Sequence, residues 1–154
     1  MNNKVWVYGL FVLVLAGFCL AQGEEEGLAY AGTTPDSPFY GLDKLGESIQ
    51  MAFTFGDVNK AELQLKFAGE RVAEMIEMAS QNKMQFMISL TEGHLNGIAK
   101  AEKYMAAAAA SGKNVSGVSE RIANMMQSQI KMMQSIADKV PEQYRNQIMS
   151  AINA

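Results

Sequence analysis

The chain of 154 residues carries 13 Lys and Arg against 16 Asp and Glu, so its net charge is −3 at neutral pH. Because nucleic-acid binding needs a concentrated basic surface, this balance predicts no nucleic-acid partner. The only histidine is His94, which excludes a di-metal bundle with two Glu-x-x-His elements and a zinc-protease helix with two histidines. Together with the lack of a glycine-rich phosphate loop, this predicts a protein that is not an enzyme and holds no cofactor.

The N-terminal segment has the parts of a secretory signal peptide. Lys4 supplies a positive charge, and the run from Val5 to Ala21 contains no charged residue. Small residues permit cleavage after Ala21 or after Gly23, so residues 1–23 are a predicted signal peptide. The run also reaches the lower limit of about 17–25 residues for crossing a bilayer, so an uncleaved membrane anchor is the alternative. In both cases we expect an extracytoplasmic protein, secreted or tethered to the outer face of the cytoplasmic membrane.

Residues 24–34 are polar and acidic and predict a flexible linker, and residues 35–154 form the predicted folded domain. Ser37 can cap a helix that Pro38 begins, and this first helix should end near Thr54. We expect its aromatic residues to pack against the rest of the bundle and its charged residues to stay outside. The apolar residues that share one face of this helix are Phe39, Leu42, Leu45, Ile49 and Phe53.

A second predicted helix runs from Asp57 to about Ser80, because apolar residues recur there at helical spacing. The opposite face is charged and is expected to lie in solvent. The apolar face consists of Leu65, Ala68, Val72, Met75, Ile76 and Ala79, and the charged face of Glu62, Lys66, Glu70, Glu74 and Glu77.

The C-terminal half predicts three more helices. The third spans about residues 83–111 and stops at Gly112, and the fourth spans about residues 117–139. Pro141 ends the fourth and begins a short last helix. The residues expected to face inward are Met84, Met87, Ile88, Leu95, Ile98 and Met105 in the third helix, Val118, Ile122, Met126, Ile130, Met133, Ala137 and Val140 in and just after the fourth, and Tyr144, Ile148 and Ile152 in the last. The predicted fold is an all-α antiparallel bundle of four to five helices, preceded by the N-terminal hydrophobic segment.

The chain is methionine-rich, with 12 methionines. Thioethers are soft ligands that select Cu(I), so an extracytoplasmic helical protein of this composition could bind copper or silver. The same spacing is typical of methionines that fill a helical core, and the core interpretation is preferred. The candidate metal ligands are Met75, Met78, Met84, Met87, Met125 and Met132.

Asn114-Val115-Ser116 forms an acceptor triplet for N-glycosylation. The triplet follows Gly112, in a predicted loop of an exported chain. Asn114 is therefore a candidate glycosylation site.

The segment Pro35-Asp36-Ser37-Pro38-Phe39-Tyr40-Gly41-Leu42-Asp43-Lys44-Leu45-Gly46-Glu47 resembles the opening of a family of uncharacterised exported helical domains, classed as a domain of unknown function. Members usually begin with a Pro-x-Ser/Asp-Pro-x-Tyr-x-Leu-Lys-x-x-Glu segment and continue with a helix rich in Ala, Glu, Leu and Arg. The resemblance covers about residues 35–78, and Gly41 and Asp43 depart from the usual opening. It implies a helical exported domain and no catalytic residues.

The preferred hypothesis is an exported, non-enzymatic helical domain that acts as an envelope-associated structural or interaction module. Its partner would be a protein or another component of the envelope, and only the N-terminal segment would contact the membrane if it is not cleaved. The alternative hypothesis is a methionine-rich extracytoplasmic protein that binds copper or silver or senses stress.

Overall fold

The computed structural model describes residues 31–153, which form five α-helices and a short 3-10 helix. These residues contain no β-strand, and the helices pack against one another, so the predicted all-α bundle is confirmed. The predicted signal peptide and most of the predicted linker lie outside the described residues. The helices are α1 (Tyr40–Phe53), α2 (Asp57–Ser80), α3 (Met87–Ala110), α4 (Ser116–Ala137) and α5 (Glu142–Ile152), with the 3-10 helix at Met84–Phe86 before α3.

The ends of α3 and α4 follow the local sequence signals, whereas the predicted start of α1 is wrong: the helix begins at Tyr40 and not at Pro38, with Phe39 at the N-cap position and no side-chain capping hydrogen bond. Gly112 has a φ of +74°, and its N–H donates to the carbonyl of Ala109, so it ends α3 in the left-handed conformation that favours glycine. Pro141 separates α4 from α5, as predicted. In the part of the chain that the structure describes, no helix is both long and apolar enough to cross a membrane.

The central element of the bundle is α2. It packs most extensively against α3, and also against α4 and α1. Because neighbours cover it on several sides, residues over most of its circumference are buried, while Lys66, Ile76 and Glu77 remain exposed. The core between α2, α3, α4 and α5 consists mainly of Val72, Met75, Met78, Met87, Leu90, Met133, Ile136, Val140 and Ile148.

The predicted positions of Ile76, Ile88 and Glu74 are wrong. Ile76 and Ile88 were expected in the core, yet they are 37% and 46% exposed. Glu74 was expected in solvent, yet none of its surface is exposed. Glu74 is buried because α1 packs on the face of α2 that carries it, where the Tyr40 hydroxyl donates to its carboxylate.

The orientation of α1 is also opposite to the predicted one. Its apolar residues point away from the bundle, and their exposed fractions range from 45% for Ile49 to 74% for Phe53. Phe55, which follows the helix, is 79% exposed. Conversely, Lys44 and Glu47, which were expected outside, line the space between α1 and the other helices. We call Phe39, Leu42, Leu45, Ile49, Phe53 and Phe55 the outer face of α1.

The contact between α2 and α3 is close because Gly97 has no side chain. A Cβ atom built on Gly97 would lie 2.9 Å from the Cβ of Ala68 and 3.2 Å from the backbone oxygen of Gln64. Both obstacles belong to α2 and lie on or next to its backbone. A methyl group at position 97 would therefore force the two helices apart.

We predict that Gly97→Ala lowers the free energy of unfolding by about 1–3 kcal/mol, the usual cost of overpacking. The matched control is Gly117→Ala in α4, where an added Cβ would meet no atom within 4 Å. That variant should be neutral or slightly stabilising because alanine favours helix. Denaturant unfolding of both variants makes the comparison, and equal stabilities would contradict the close packing at Gly97.

Candidate functional site

The inner face of α1 is polar. Tyr40, Lys44, Glu47 and Met51 follow one another at intervals of four, three and four residues, so they share one side of the helix. This side borders a groove of about 560 Å³ whose other walls come from α2 and α3. The groove and the ionic contacts beside it form the candidate functional site.

A buried arginine joins α1 to α2. The guanidinium of Arg71, which is 5% exposed, donates from Nη1 to the Tyr40 hydroxyl at 2.9 Å and from Nη2 to Oε1 of Glu47 at 2.7 Å. Its Nη2 also lies 2.8 Å from Oε1 of Glu74. The Tyr40 hydroxyl donates in turn to Oε2 of Glu74 at 3.0 Å. The buried charges of α2 are thus compensated by two residues of α1.

The carboxyl groups around Arg71 hold protons more firmly than exposed ones. Burial raises the pKa of Glu47 and of Glu74 to about 7, and it raises the pKa of Glu70, 3.6 Å from the guanidinium, to about 7 as well. Repulsion from neighbouring carboxylates adds to this rise: Asp43 raises the pKa of all three groups, and Glu47 also raises the pKa of Glu70 and Glu74. Burial also raises the pKa of the Tyr40 hydroxyl to about 12, so it remains a hydrogen-bond donor at neutral pH.

The groove combines charged, amide and apolar groups. Lys44 and Lys100 contribute cations, Gln64 and Asn96 contribute amides, and Phe67, Leu90 and Met51 provide apolar surface. Ser48 and Ser89 supply hydroxyls, but no histidine is among the described residues that line the groove. The groups can hold a small polar molecule, and they do not form a nucleophile–base pair of the Ser–His kind.

His94 lies outside this groove, in the interface between α3 and α2. It is 5% exposed, and its Nδ1 lies 3.1 Å from the carbonyl oxygen of Ala68. Burial lowers its pKa, which favours the neutral ring. This is the buried, hydrogen-bonded position expected from the sequence. Among residues 31–153, no three His, Cys, Asp or Glu side chains form a group able to hold a metal ion.

Three of the six candidate metal ligands lie in the apolar core. Met75 and Met78 have no exposed surface, and Met87 is 1% exposed. The sulfur of Met75 accepts a hydrogen bond from the Thr91 hydroxyl at 3.4 Å. Met84 and Met132 are partly buried against the same core, and Met125 is 36% exposed. The helical spacing places Met78 beside the apolar face of α2 and predicts partial exposure, and its complete burial shows that this prediction is wrong.

Asn114 occupies the exposed loop between α3 and α4. Its Oδ1 accepts hydrogen bonds from the backbone N–H of Ser116 at 3.1 Å and from the Ser116 hydroxyl at 2.7 Å. The two polar residues of the glycosylation triplet thus bond to each other at the start of α4. Glycosylation of Asn114 stays a prediction.

The roles of Arg71, Glu47 and Glu74 were not found from the sequence, whereas the expected packing of Tyr40 against the bundle is confirmed. The helical spacing places Glu74 on a solvent-exposed charged face, and Arg71 beside it resembles an ordinary surface cation. One signal was present in the sequence. Tyr40, Lys44 and Glu47 form a polar face on α1, and this face could pack against the bundle instead of the apolar one. The pattern alone does not say which of the two faces is covered by α2.

Comparison with known families adds one finding. The model of a family described as a domain of unknown function, DUF5667, matches residues 32–143, and the chain belongs to this family. The match agrees with the expected uncharacterised family and covers more of the chain than residues 35–78. No curated protein and no solved structure matches the chain.

We predict that the protein becomes less stable as the pH rises from about 5 to about 8. The folded state keeps protons on Glu47, Glu70 and Glu74 up to about pH 7, whereas the unfolded state releases them near pH 4.3. Between these values the folded state binds more protons, so deprotonation favours unfolding. The measurement is the melting temperature across this range. Glu70→Gln should reduce the pH dependence, while Glu120→Gln, which changes an exposed carboxyl on α4, should leave it intact.

We predict no tight Cu(I) binding. Three or so thioethers would have to converge within about 2.3–2.5 Å of one ion, and Met75, Met78 and Met87 can do so only by opening the core. The measurement is an anaerobic Cu(I) titration against a competing chelator. Stoichiometric submicromolar binding that disappears when Met125 and Met132 are both changed to Leu would establish the metal-binding hypothesis instead.

Proposed function

We propose that this member of the DUF5667 family is an exported, envelope-associated, non-enzymatic interaction module whose binding surface is the outer face of α1. The observation that carries the proposal is the orientation of α1. The helix is attached to the bundle by its polar residues and presents its apolar residues outward, with exposed fractions between 45% and 74% within the helix.

The attachment of α1 by its polar side is specific. Tyr40 and Glu47 both reach Arg71, and Tyr40 also reaches Glu74. A helix that rested on the bundle by chance would have neither a buried guanidinium nor a fully buried carboxylate beneath it. In the observed structure these contacts hold the polar side of α1 against the bundle, so its apolar side forms part of the domain surface.

The size of the outer face favours a binding role. Aromatic side chains have about 150–250 Å² of surface each, so Phe39, Phe53 and Phe55, which are 65%, 74% and 79% exposed, present on the order of 400 Å². The leucines and the isoleucine between them extend the same patch. Contiguous apolar patches of this size on soluble domains usually mark contacts with another molecule.

Export is supported by the sequence before the domain. The charge-free run from Val5 to Ala21 follows Lys4, and an acidic stretch separates it from the domain. This arrangement is typical of a segment that directs a chain across a membrane. A module that works outside the cytoplasm without an evident catalytic group is best explained as one that binds.

The test is photo-crosslinking in the cells that make the protein. A photoreactive residue replaces Leu45 at the centre of the outer face, and in a second strain it replaces Met149 on α5, another exposed apolar position. We expect a discrete adduct from position 45 and none from position 149. If position 45 yields no adduct, or both positions yield the same ones, the outer face is not a binding surface.

A further inference from the structure

The outer face of α1 has the residue spacing of a helix–helix seam. Leu42, Leu45, Ile49 and Ala52 follow one another at intervals of three, four and three residues, which is the a/d pattern of two heptads. All four are exposed in the single chain. An apolar row with this period is complementary to another helix that carries the same row.

We propose that the outer face of α1 is the interface between two copies of this chain, which pair by two-fold symmetry through their α1 helices. This inference rests on the proposed function, because it names the occupant of the surface proposed there. In a two-fold interface the same patch is used by both subunits, so the patch must be compatible with itself in shape and in charge.

The charge distribution of α1 meets this requirement. Its charged residues are Asp43, Lys44 and Glu47, and Lys44 and Glu47 line the groove on the inner side. The positions that would flank the seam are taken by glycine, serine and phenylalanine. No like charges would therefore meet when two copies of the outer face come together, whichever way the two helices run.

The area of the outer face also suits a dimer. The three phenylalanines offer on the order of 400 Å², and Leu42, Leu45 and Ile49, which are 45–63% exposed, add further apolar area. The sum approaches the roughly 800 Å² per partner of a standard specific interface. Phe39 lies just before α1 and Phe53 at its last residue, so the apolar area extends over the whole helix.

A second copy fits this face better than a lipid surface. Helices that lie on membranes usually carry lysine and arginine beside the apolar side, where they attract anionic lipids. In α1 the single cation, Lys44, pairs with Glu47 at 2.7 Å. The whole chain also has a net charge of −3, which opposes approach to an anionic bilayer.

The test measures the mass of the full chain in solution by sedimentation or light scattering over a range of concentrations. The variant Leu45→Glu places a charge in the middle of the seam, and Met149→Glu is the matched control on α5. Both residues are exposed in the single chain, so both variants should keep the helical spectrum and the fold. The unchanged chain and the two variants share the same N-terminal segment, so any association through that segment is the same in all three proteins.

We expect a dimer for the unchanged chain and for Met149→Glu. For Leu45→Glu we expect the mass of one chain and a dimer dissociation constant raised at least about a hundredfold, because a buried unpaired charge opposes association. A monomeric unchanged chain, or a dimer that persists in Leu45→Glu, would overturn the proposal.

The photo-crosslinking result separates this inference from the proposed function. An adduct from position 45 with twice the mass of the chain supports pairing of two copies. An adduct with another protein, with lipid or within a single chain would overturn the pairing and leave the outer face as a binding surface. If position 45 crosslinks to lipid, the unchanged chain should bind phosphatidylcholine–phosphatidylglycerol vesicles and Leu45→Glu should not.

Discussion

The guanidinium of Arg71 contacts the Tyr40 hydroxyl and the carboxylates of Glu47 and Glu74 within 2.9 Å. A buried cation is tolerated only when anions and hydrogen bonds compensate it. Its own helix offers Glu74 and, at 3.6 Å, Glu70, but the hydroxyl and the shortest carboxylate contact come from α1. The need to compensate Arg71 therefore favours the orientation in which the polar side of α1 faces the bundle, and with it the surface that the domain presents.

The central position of α2 explains why Glu74 is buried although Lys66 and Glu77 of the same predicted charged face remain exposed. A helix with one packed side keeps its charges in water, and the spacing of Leu65, Ala68 and Val72 correctly predicts one packed side. However, α2 has neighbours on several sides. Gln129 of α4, for example, is buried and donates to the carbonyl of Leu65 at 3.0 Å. Polar groups such as Glu74 can be enclosed in this way because partners from other helices reach them.

The C-terminal ends of α3 and α4 could be predicted from the sequence because local signals set them. The end of α3 at Gly112 and the break at Pro141 depend on backbone conformations that only a few residue types favour. The orientation of α1 could not be predicted, because the helix has two regular faces. Apolar residues recur from Leu42 to Phe53, and polar ones recur from Tyr40 to Glu47. The choice between the two faces depends on Arg71, which lies 31 residues after Tyr40 and 24 residues after Glu47. No pattern within α1 can therefore reveal it.

The energies of the two faces of α1 are close enough that a partner would decide between them. Full burial of an aliphatic or aromatic side chain contributes about 1.5–3 kcal/mol, and Leu42, Leu45, Ile49 and Phe53 are each 45–74% exposed. Turning this side inward would therefore gain several kcal/mol. It would also break the contacts of Arg71 with α1, and breaking a buried pair costs about 3–5 kcal/mol. Because the two terms are similar, the observed orientation has no large advantage in a single chain. Covering the outer face with a second copy would bury its apolar residues and keep Arg71 compensated, so both contributions would favour the orientation of α1 that is observed.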